Sequence, residues 1–143
     1  MKRLSVAIWL AMAGMAPLSQ ALAAPFEITD GWFRALPGKL PAGGYFTAYN
    51  NGAREVDILS AQSDACGMLM LHQSSNKGGM SGMDMVDKVA VPAAGKVSFA
   101  PGGYHLMCEN PKMTIGSKVA VLFHLSDGST VAVGFAVKGA TGK

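Results

Sequence analysis

Short apolar and β-branched segments, separated by turn-forming residues, recur along the chain and constrain its fold more than any other feature. Nine segments have this character: 26–34, 45–49, 56–61, 68–72, 86–91, 97–99, 104–108, 118–125 and 130–137. Gly, Pro, Asn and Asp fall between them, as expected where strands are joined by tight turns. Apolar residues at helical spacing are hard to find. The sequence therefore predicts an all-β domain, either a β-sandwich or a small barrel.

The clearest local prediction is a hairpin made by the last two segments. Apolar residues alternate with other residues from Val119 to Leu125 and again from Val131 to Val137. Asp127-Gly128 lies between the two runs and is typical of a tight hairpin turn. Residues 73–82, by contrast, are rich in Ser, Gly and Asn and predict a long flexible loop.

The N-terminus has the pattern of an export signal. Lys2 and Arg3 precede an apolar run at 4–16, and small residues follow at 21–24. We predict a signal peptide at 1–23, cut after Ala23 or Ala24, and a single periplasmic domain at 24–143. The apolar run is shorter than the roughly 20 residues of a membrane-spanning helix, so we expect no stable membrane insertion.

The predicted mature chain is nearly neutral. Without Lys2 and Arg3, ten basic residues stand against nine acidic ones. Nucleic acids and anionic lipids are bound by clustered Lys and Arg, which this sequence does not provide. We therefore predict no nucleic-acid partner.

Two cysteines, Cys66 and Cys108, leave two alternatives open. An oxidising compartment favours a disulfide between them. Strand alternation opposes it, because Cys108 is predicted on the face of Leu106, whereas Cys66 falls on the face of Met68 and Met70. An irregular strand start would remove the conflict; otherwise both cysteines are small buried apolar residues.

His105 and Met107 form a candidate metal-binding pair. Residues i and i+2 of a strand point to the same face about 7 Å apart, so an imidazole and a thioether can converge on one ion. His72 ends another segment, and a glycine-containing stretch follows it. That stretch carries three methionines: Met80, Met83 and Met85.

Two imidazoles and two thioethers together favour one metal. A thioether is a poor ligand for Zn²⁺, Mg²⁺ or Ca²⁺ and a good one for Cu(I), whose single charge needs no carboxylate to balance it. Methionine also avoids the disulfide formation that threatens thiolate ligands outside the cytosol. Because it binds weakly, it suits transfer rather than storage. We interpret Met68 and Met70, on the predicted face of His72, as packing residues.

These residues resemble the periplasmic copper chaperones called PCuAC. The motif of that family is a His, ten residues, a Met, twenty-one residues and then His-x-Met. His72, Met83, His105 and Met107 match this spacing without a gap. The segment 101–107 is also similar to the family.

The resemblance implies a cupredoxin-like Greek-key β-sandwich or barrel in which those four residues bind one Cu(I) per monomer. Only the motif spacing selects Met83 over Met80 and Met85. The implied function is that of a monomeric carrier. It would transfer Cu(I) to a copper-accepting protein, a cytochrome c oxidase subunit or its assembly factor, during assembly of the oxidase copper site.

Three other functional classes are alternatives. A blue-copper electron carrier needs a Cys thiolate beside two His, but Cys108 is predicted to point away from His105. A β-sandwich binding module would carry its Met and His residues incidentally. An enzyme is not predicted, because the sequence offers no nucleophile elbow, paired carboxylates or phosphate-binding loop.

Overall fold

The structure is a computed structural model that describes residues 24–143; the predicted signal peptide at 1–23 lies outside the described residues. Within this part the regular structure is all β, and no helix there has the length and apolar character needed to cross a membrane. The all-β prediction is confirmed. In chain order the strands are β1 (Phe26–Arg34), β2 (Ala42–Asn50), β3 (Val56–Gln62), β4 (Met68–Lys77), β5 (Met80–Met85), β6 (Val89–Val91), β7 (Gly95–Phe99), β8 (Tyr104–Glu109), β9 (Lys118–Leu125) and β10 (Thr130–Lys138).

The strands form one hydrogen-bonded path in the order β5-β4-β8-β2-β1-β10-β9-β3-β6, with β7 joined to β2. Many neighbours are distant in sequence, as in sandwiches whose connections cross from one layer to the other. Strand β1 pairs with β10 in parallel. The two ends of the path, β5 and β6, do not pair with each other in the described chain. The predicted sandwich is confirmed, whereas barrel closure is wrong, because each end strand has a neighbour on one side only.

Aromatic side chains fill the core of the sandwich. The ring centroid of Phe46 lies 4.1 Å from that of Phe99, 4.9 Å from that of Phe123 and 5.9 Å from that of Phe135. All four side chains are almost completely buried. Because alternate residues of a strand face opposite sides, the strands contribute one face to this core and keep the other for other contacts.

The predicted C-terminal hairpin is confirmed. Strands β9 and β10 pair antiparallel, from Lys118 opposite Ala136 to His124 opposite Thr130. In the turn, the backbone nitrogen and hydroxyl group of Ser129 both donate hydrogen bonds to Asp127 Oδ1, at 2.9 Å and 2.6 Å.

The predicted loop at 73–82 is wrong. Strand β4 continues to Lys77 and β5 begins at Met80, so the two strands form a hairpin around Gly78-Gly79. Both glycines have positive φ, 62° and 79°, as a two-residue type I′ turn requires. The apolar alternation that marks a strand is missing from most of this hairpin, because its outer part touches no core.

Cys66 and Cys108 form a disulfide, with their Cα atoms 5.3 Å apart. Strand alternation does not oppose the bond, because β4 begins only at Met68 and Cys66 precedes the regular strand. The backbone nitrogen of Gly67 donates to the carbonyl of Glu109 at 2.8 Å, which holds this irregular start against β8. The disulfide therefore joins the beginning of β4 to the inner side of β8.

Candidate metal centre

The two candidate histidines lie side by side on the outer face of β4 and β8, the face turned away from the core. Leu71 and Leu106 are buried in the core, so their neighbours His72 and His105 point to the other side. His72 and His105 are direct cross-strand partners, and their ring centroids are 5.7 Å apart. Pairing of β4 with β8 therefore brings together two imidazoles that are distant in sequence.

The two candidate methionines approach the same place. Met83 is the cross-strand partner of Ser74 and therefore shares the outer face with His72. The Met83 sulfur, Sδ, lies 3.2 Å from His105 Nε2. Met107 follows His105 by two residues on the same face, and with Met83 and His105 it lines an open cavity of about 610 Å³.

The hydrogen bond of His105 sets which of its nitrogens can bind a ligand. His105 is only 5% exposed, and its Nδ1 lies 3.2 Å from the carbonyl oxygen of Gly103. A carbonyl can only accept, so Nδ1 carries the proton and, in the neutral ring, Nε2 keeps a lone pair. That lone pair faces Met83 Sδ, which is itself an acceptor. Two acceptor atoms this close together suit a cation that both of them contact from one side.

His72 also has a nitrogen available for a ligand. Its Nδ1 is buried and has no hydrogen-bond partner within residues 24–143. Buried polar atoms of this kind are uncommon and often mark a binding position. Burial lowers the pKa of His72, the positive charge that His105 can carry lowers it further, and Glu109 opposes the shift. His72 is therefore neutral near pH 7, as a metal ligand must be.

The remaining methionines of this region occupy different positions. Met85 is the cross-strand partner of His72 and shares its face, whereas Met80 pairs with Lys77 on the opposite face of the hairpin. Strand alternation thus removes Met80 as a substitute for Met83 and leaves Met85 beside the site.

Met68 and Met70 are not core residues. Met68 is exposed and Met70 is half-buried on the outer face, directly across from Met107. The packing interpretation is therefore wrong for Met68, whereas half-buried Met70 packs on the outer face and not in the core. Met70 becomes a neighbour of the site only through the register of β4 against β8.

Cys108 lies on the opposite face of β8 from His105, as predicted. It is fully buried and bonded to Cys66, so it offers no thiolate to the two imidazoles. The geometry therefore lacks the Cys ligand that a blue-copper centre uses.

The cavity has a second wall that the sequence does not predict. Arg34, Leu40 and Tyr45 line it together with the candidate ligands Met83, His105 and Met107. Arg34 Nη2 donates a hydrogen bond to the hydroxyl oxygen of Tyr45 at 2.8 Å. These residues belong to β1, β2 and the connection between them. Only the pairing of β2 with β8 brings them to the site.

Comparison with known proteins places this architecture in a family. The family described as "Putative lipoprotein LpqE-like" matches residues 26–137. The chain belongs to the LpqE-like family. A "Putative lipoprotein" of Leifsonia xyli subsp. xyli is 29% identical to this LpqE-like chain over 119 residues, which cover 81% of the chain and 71% of the relative. An uncharacterized protein of Rickettsia prowazekii is 29% identical over 86 residues, which cover 58% of this chain and 48% of that protein.

Solved structures similar to this LpqE-like chain include PCuAC domains. The copper-bound PCuAC domain from PmoF2 has a TM-score of 0.68 at 20% identity, covering 83% of this chain and 97% of that domain. The Cu(I) form of DR1885 from Deinococcus radiodurans has a TM-score of 0.63 at 26% identity. The match covers 84% of this chain and 81% of DR1885. The predicted resemblance to PCuAC-type copper chaperones is confirmed.

Proposed function

We propose that this protein is a periplasmic carrier of Cu(I) in which His72, Met83, His105 and Met107 bind one ion per monomer. The observation that carries the proposal is the 3.2 Å distance between Met83 Sδ and His105 Nε2. His72 on β4 is the cross-strand partner of His105 on β8. Two neutral imidazoles and two thioethers form a soft donor set that suits Cu(I). A PCuAC domain of similar fold, from PmoF2, is described as copper-bound, which supports copper as the metal.

The position of Met83 supports a role in transfer. Met83 is 57% exposed and lies on β5, the end strand of the sheet. A thioether is a weak ligand, so a partner that offers stronger ligands can replace it while the histidines still hold the ion. We infer that Cu(I) passes in this way to a copper-accepting protein, a cytochrome c oxidase subunit or its assembly factor. The resemblance to PCuAC supports this destination.

Export of the chain is part of the proposal. The predicted signal peptide at 1–23 and the lipoprotein description of the family both support a location outside the cytoplasm. We infer a binding and transfer role and not catalysis, because the similar structures are copper-binding domains.

The test is an anaerobic titration of the protein with Cu(I) against a competing chelator. The wild type is expected to bind one equivalent. The variants His72→Gln, Met83→Leu, His105→Gln and Met107→Leu should each weaken binding by about tenfold or more, which corresponds to about 1.4 kcal/mol for each lost ligand.

The matched control for Met83→Leu is Met80→Leu, the same substitution on the opposite face of the hairpin. It should titrate like the wild type. If Met83→Leu and Met107→Leu also titrate like the wild type, the proposed site is wrong. If Met85→Leu weakens binding and Met83→Leu does not, the thioether ligand on β5 is Met85.

A further inference from the structure

Two cationic residues lie in register with a proposed copper ligand, and one of them, Arg34, lines the cavity beside the proposed ligands. Met107 on β8 pairs with Gly43 on β2, Gly43 with Arg34 on β1, and Arg34 with Lys138 on β10. Cross-strand partners share a face, so Arg34 and Lys138 lie on the same outer face as Met107. Two positive side chains therefore stand next to each other in the row that begins at a proposed copper ligand.

The guanidinium group of Arg34 is held in place without a negative partner. Its Nη2 donates to Tyr45 at 2.8 Å, and the ring of Tyr45 packs against Trp32 with centroids 4.8 Å apart. Arg34 takes part in neither of the ion pairs found within the described chain. A guanidinium has five N–H donors in a planar fork that matches a carboxylate, so donors remain for a ligand.

The charge of the cavity favours an anion. Of the described residues that line it, none is Asp or Glu. The proposed copper ligands are neutral, so a bound Cu(I) would add a positive charge to a cavity that already contains Arg34. A negative group entering this space would meet complementary charge on both sides.

The rim of the cavity favours a polypeptide over a free ion. Leu36, Leu40, Pro41 and Met83 line the cavity beside Arg34. Leu40 is 54% exposed and Met83 is 57% exposed, so the rim offers apolar area to a partner. A peptide segment can cover this rim while one of its side chains reaches Arg34, whereas a small hydrated anion covers none of it.

We propose, on the basis of the proposed function, that this cavity docks an acidic segment of the polypeptide that exchanges copper with the site. Arg34 binds a carboxylate of that segment, and Tyr45 positions Arg34. The docked segment lies beside Met83 and His105, where its own ligands can approach the ion.

The experiment measures the binding of two fluorescent synthetic octapeptides to the Cu(I)-loaded protein by anisotropy, without oxygen and at low salt. One peptide contains two methionines and two aspartates; in the other, asparagines replace the aspartates. The protein variants are Arg34→Gln and, as matched control, Arg54→Gln, which removes the same charge from an exposed position between β2 and β3. The Cu(I) affinity of each variant is measured in parallel.

We expect Arg34→Gln to weaken binding of the acidic peptide about tenfold, since a charge-assisted hydrogen bond is lost. Arg54→Gln should leave it unchanged, and the asparagine peptide should bind weakly to all three proteins. The Cu(I) affinity should be the same in the wild type, Arg34→Gln and Arg54→Gln. Partial rescue by Arg34→Lys, which keeps the charge but not the planar fork, would support direct contact with a carboxylate.

Three results would overturn this inference alone. An equal loss of affinity for the acidic peptide in Arg34→Gln and Arg54→Gln would mean that only the net charge of the protein matters. Equal binding of the two peptides would remove the role of the carboxylate. Displacement of the acidic peptide by free succinate at a similar concentration would make the occupant a small anion. Normal Cu(I) affinity in these cases would leave the proposed function standing, whereas a wild type that binds no Cu(I) would overturn both.

Discussion

His72 and His105 occupy equivalent places on neighbouring strands but have different hydrogen-bond environments. The Gly103 carbonyl fixes the proton of His105 on Nδ1 and leaves Nε2 facing Met83. His72 has a buried Nδ1 without a partner in the described chain. His105 is thus oriented before any ion arrives, whereas binding of an ion would satisfy a nitrogen of His72 that folding leaves unpaired.

The lowered pKa of His72 predicts a pH dependence of stability. Burial, followed by the charge of His105, lowers the pKa of His72 in the folded protein, so the unfolded chain takes up its proton at a higher pH. The contribution of neutral His72 is present above the unfolded pKa of about 6.5 and is lost progressively as the pH falls toward the folded pKa. The free energy of unfolding of the apo protein should therefore fall between pH 7 and pH 5.

Urea denaturation of apo protein across this pH range tests the prediction. His72→Gln should make the free energy of unfolding depend less on pH than in the wild type. His124→Gln, on β9 and away from the site, is the matched control. Equal pH dependence in the wild type and His72→Gln would contradict the prediction.

At the scale of strands, the sequence predicts elements well where one face is buried. Alternation gives the bounds of β1 and β9 as the structure has them. It fails for the β4–β5 hairpin, because residues beyond His72 contact no core and their types do not alternate. Gly78-Gly79 is the signal that could have revealed this hairpin, since both positions adopt positive φ.

The candidate site is only partly predictable for a different reason. The pair His105 and Met107 follows from strand geometry alone, whereas the pairing of His72 with His105 requires β4 to lie beside β8. Strands β4 and β8 are neighbours in the sheet, although three strands, β5, β6 and β7, lie between them in sequence. The pairing of β4 with β8 also brings Met70 to the site, and the pairing of β2 with β8 brings Arg34. Local sequence patterns contain no information about either pairing.

The disulfide at the start of β4 predicts a measurable stabilisation. Cys66 and Cys108 are 42 residues apart in sequence, so their bond restricts a long loop of the unfolded chain. A bond of this kind stabilises by about 2–4 kcal/mol. Chemical reduction should therefore lower the urea midpoint of the wild type. The double variant Cys66→Ala/Cys108→Ala should start from a low midpoint and not respond to reductant. An unchanged wild-type midpoint after both thiols are shown to be free would contradict the prediction.

At the scale of the whole molecule, the scaffold and the proposed site are separate. The core lies inside the sandwich and includes Phe46 and Leu106, whereas the proposed ligands lie on the outer face. We therefore expect the protein to fold without a bound metal. Binding to the folded state alone must nevertheless stabilise it.

Thermal unfolding without oxygen should show this stabilisation. With free Cu(I) buffered at a hundredfold excess over its Kd, the expected gain is about 2.7 kcal/mol, or about 10 °C in Tm for a domain of this size. His105→Gln should keep its β-sheet circular dichroism and lose most of the shift. An equal shift in His105→Gln would mean that the metal binds elsewhere.

The alternation of inward and outward residues on β4 and β8 has a consequence for how this family diversifies. Leu71 and Leu106 serve the core, while their immediate neighbours His72 and His105 are the proposed ligands. Selection can therefore act on one set of positions without disturbing the other. A few outward substitutions would therefore alter the proposed metal site while the sandwich stays intact.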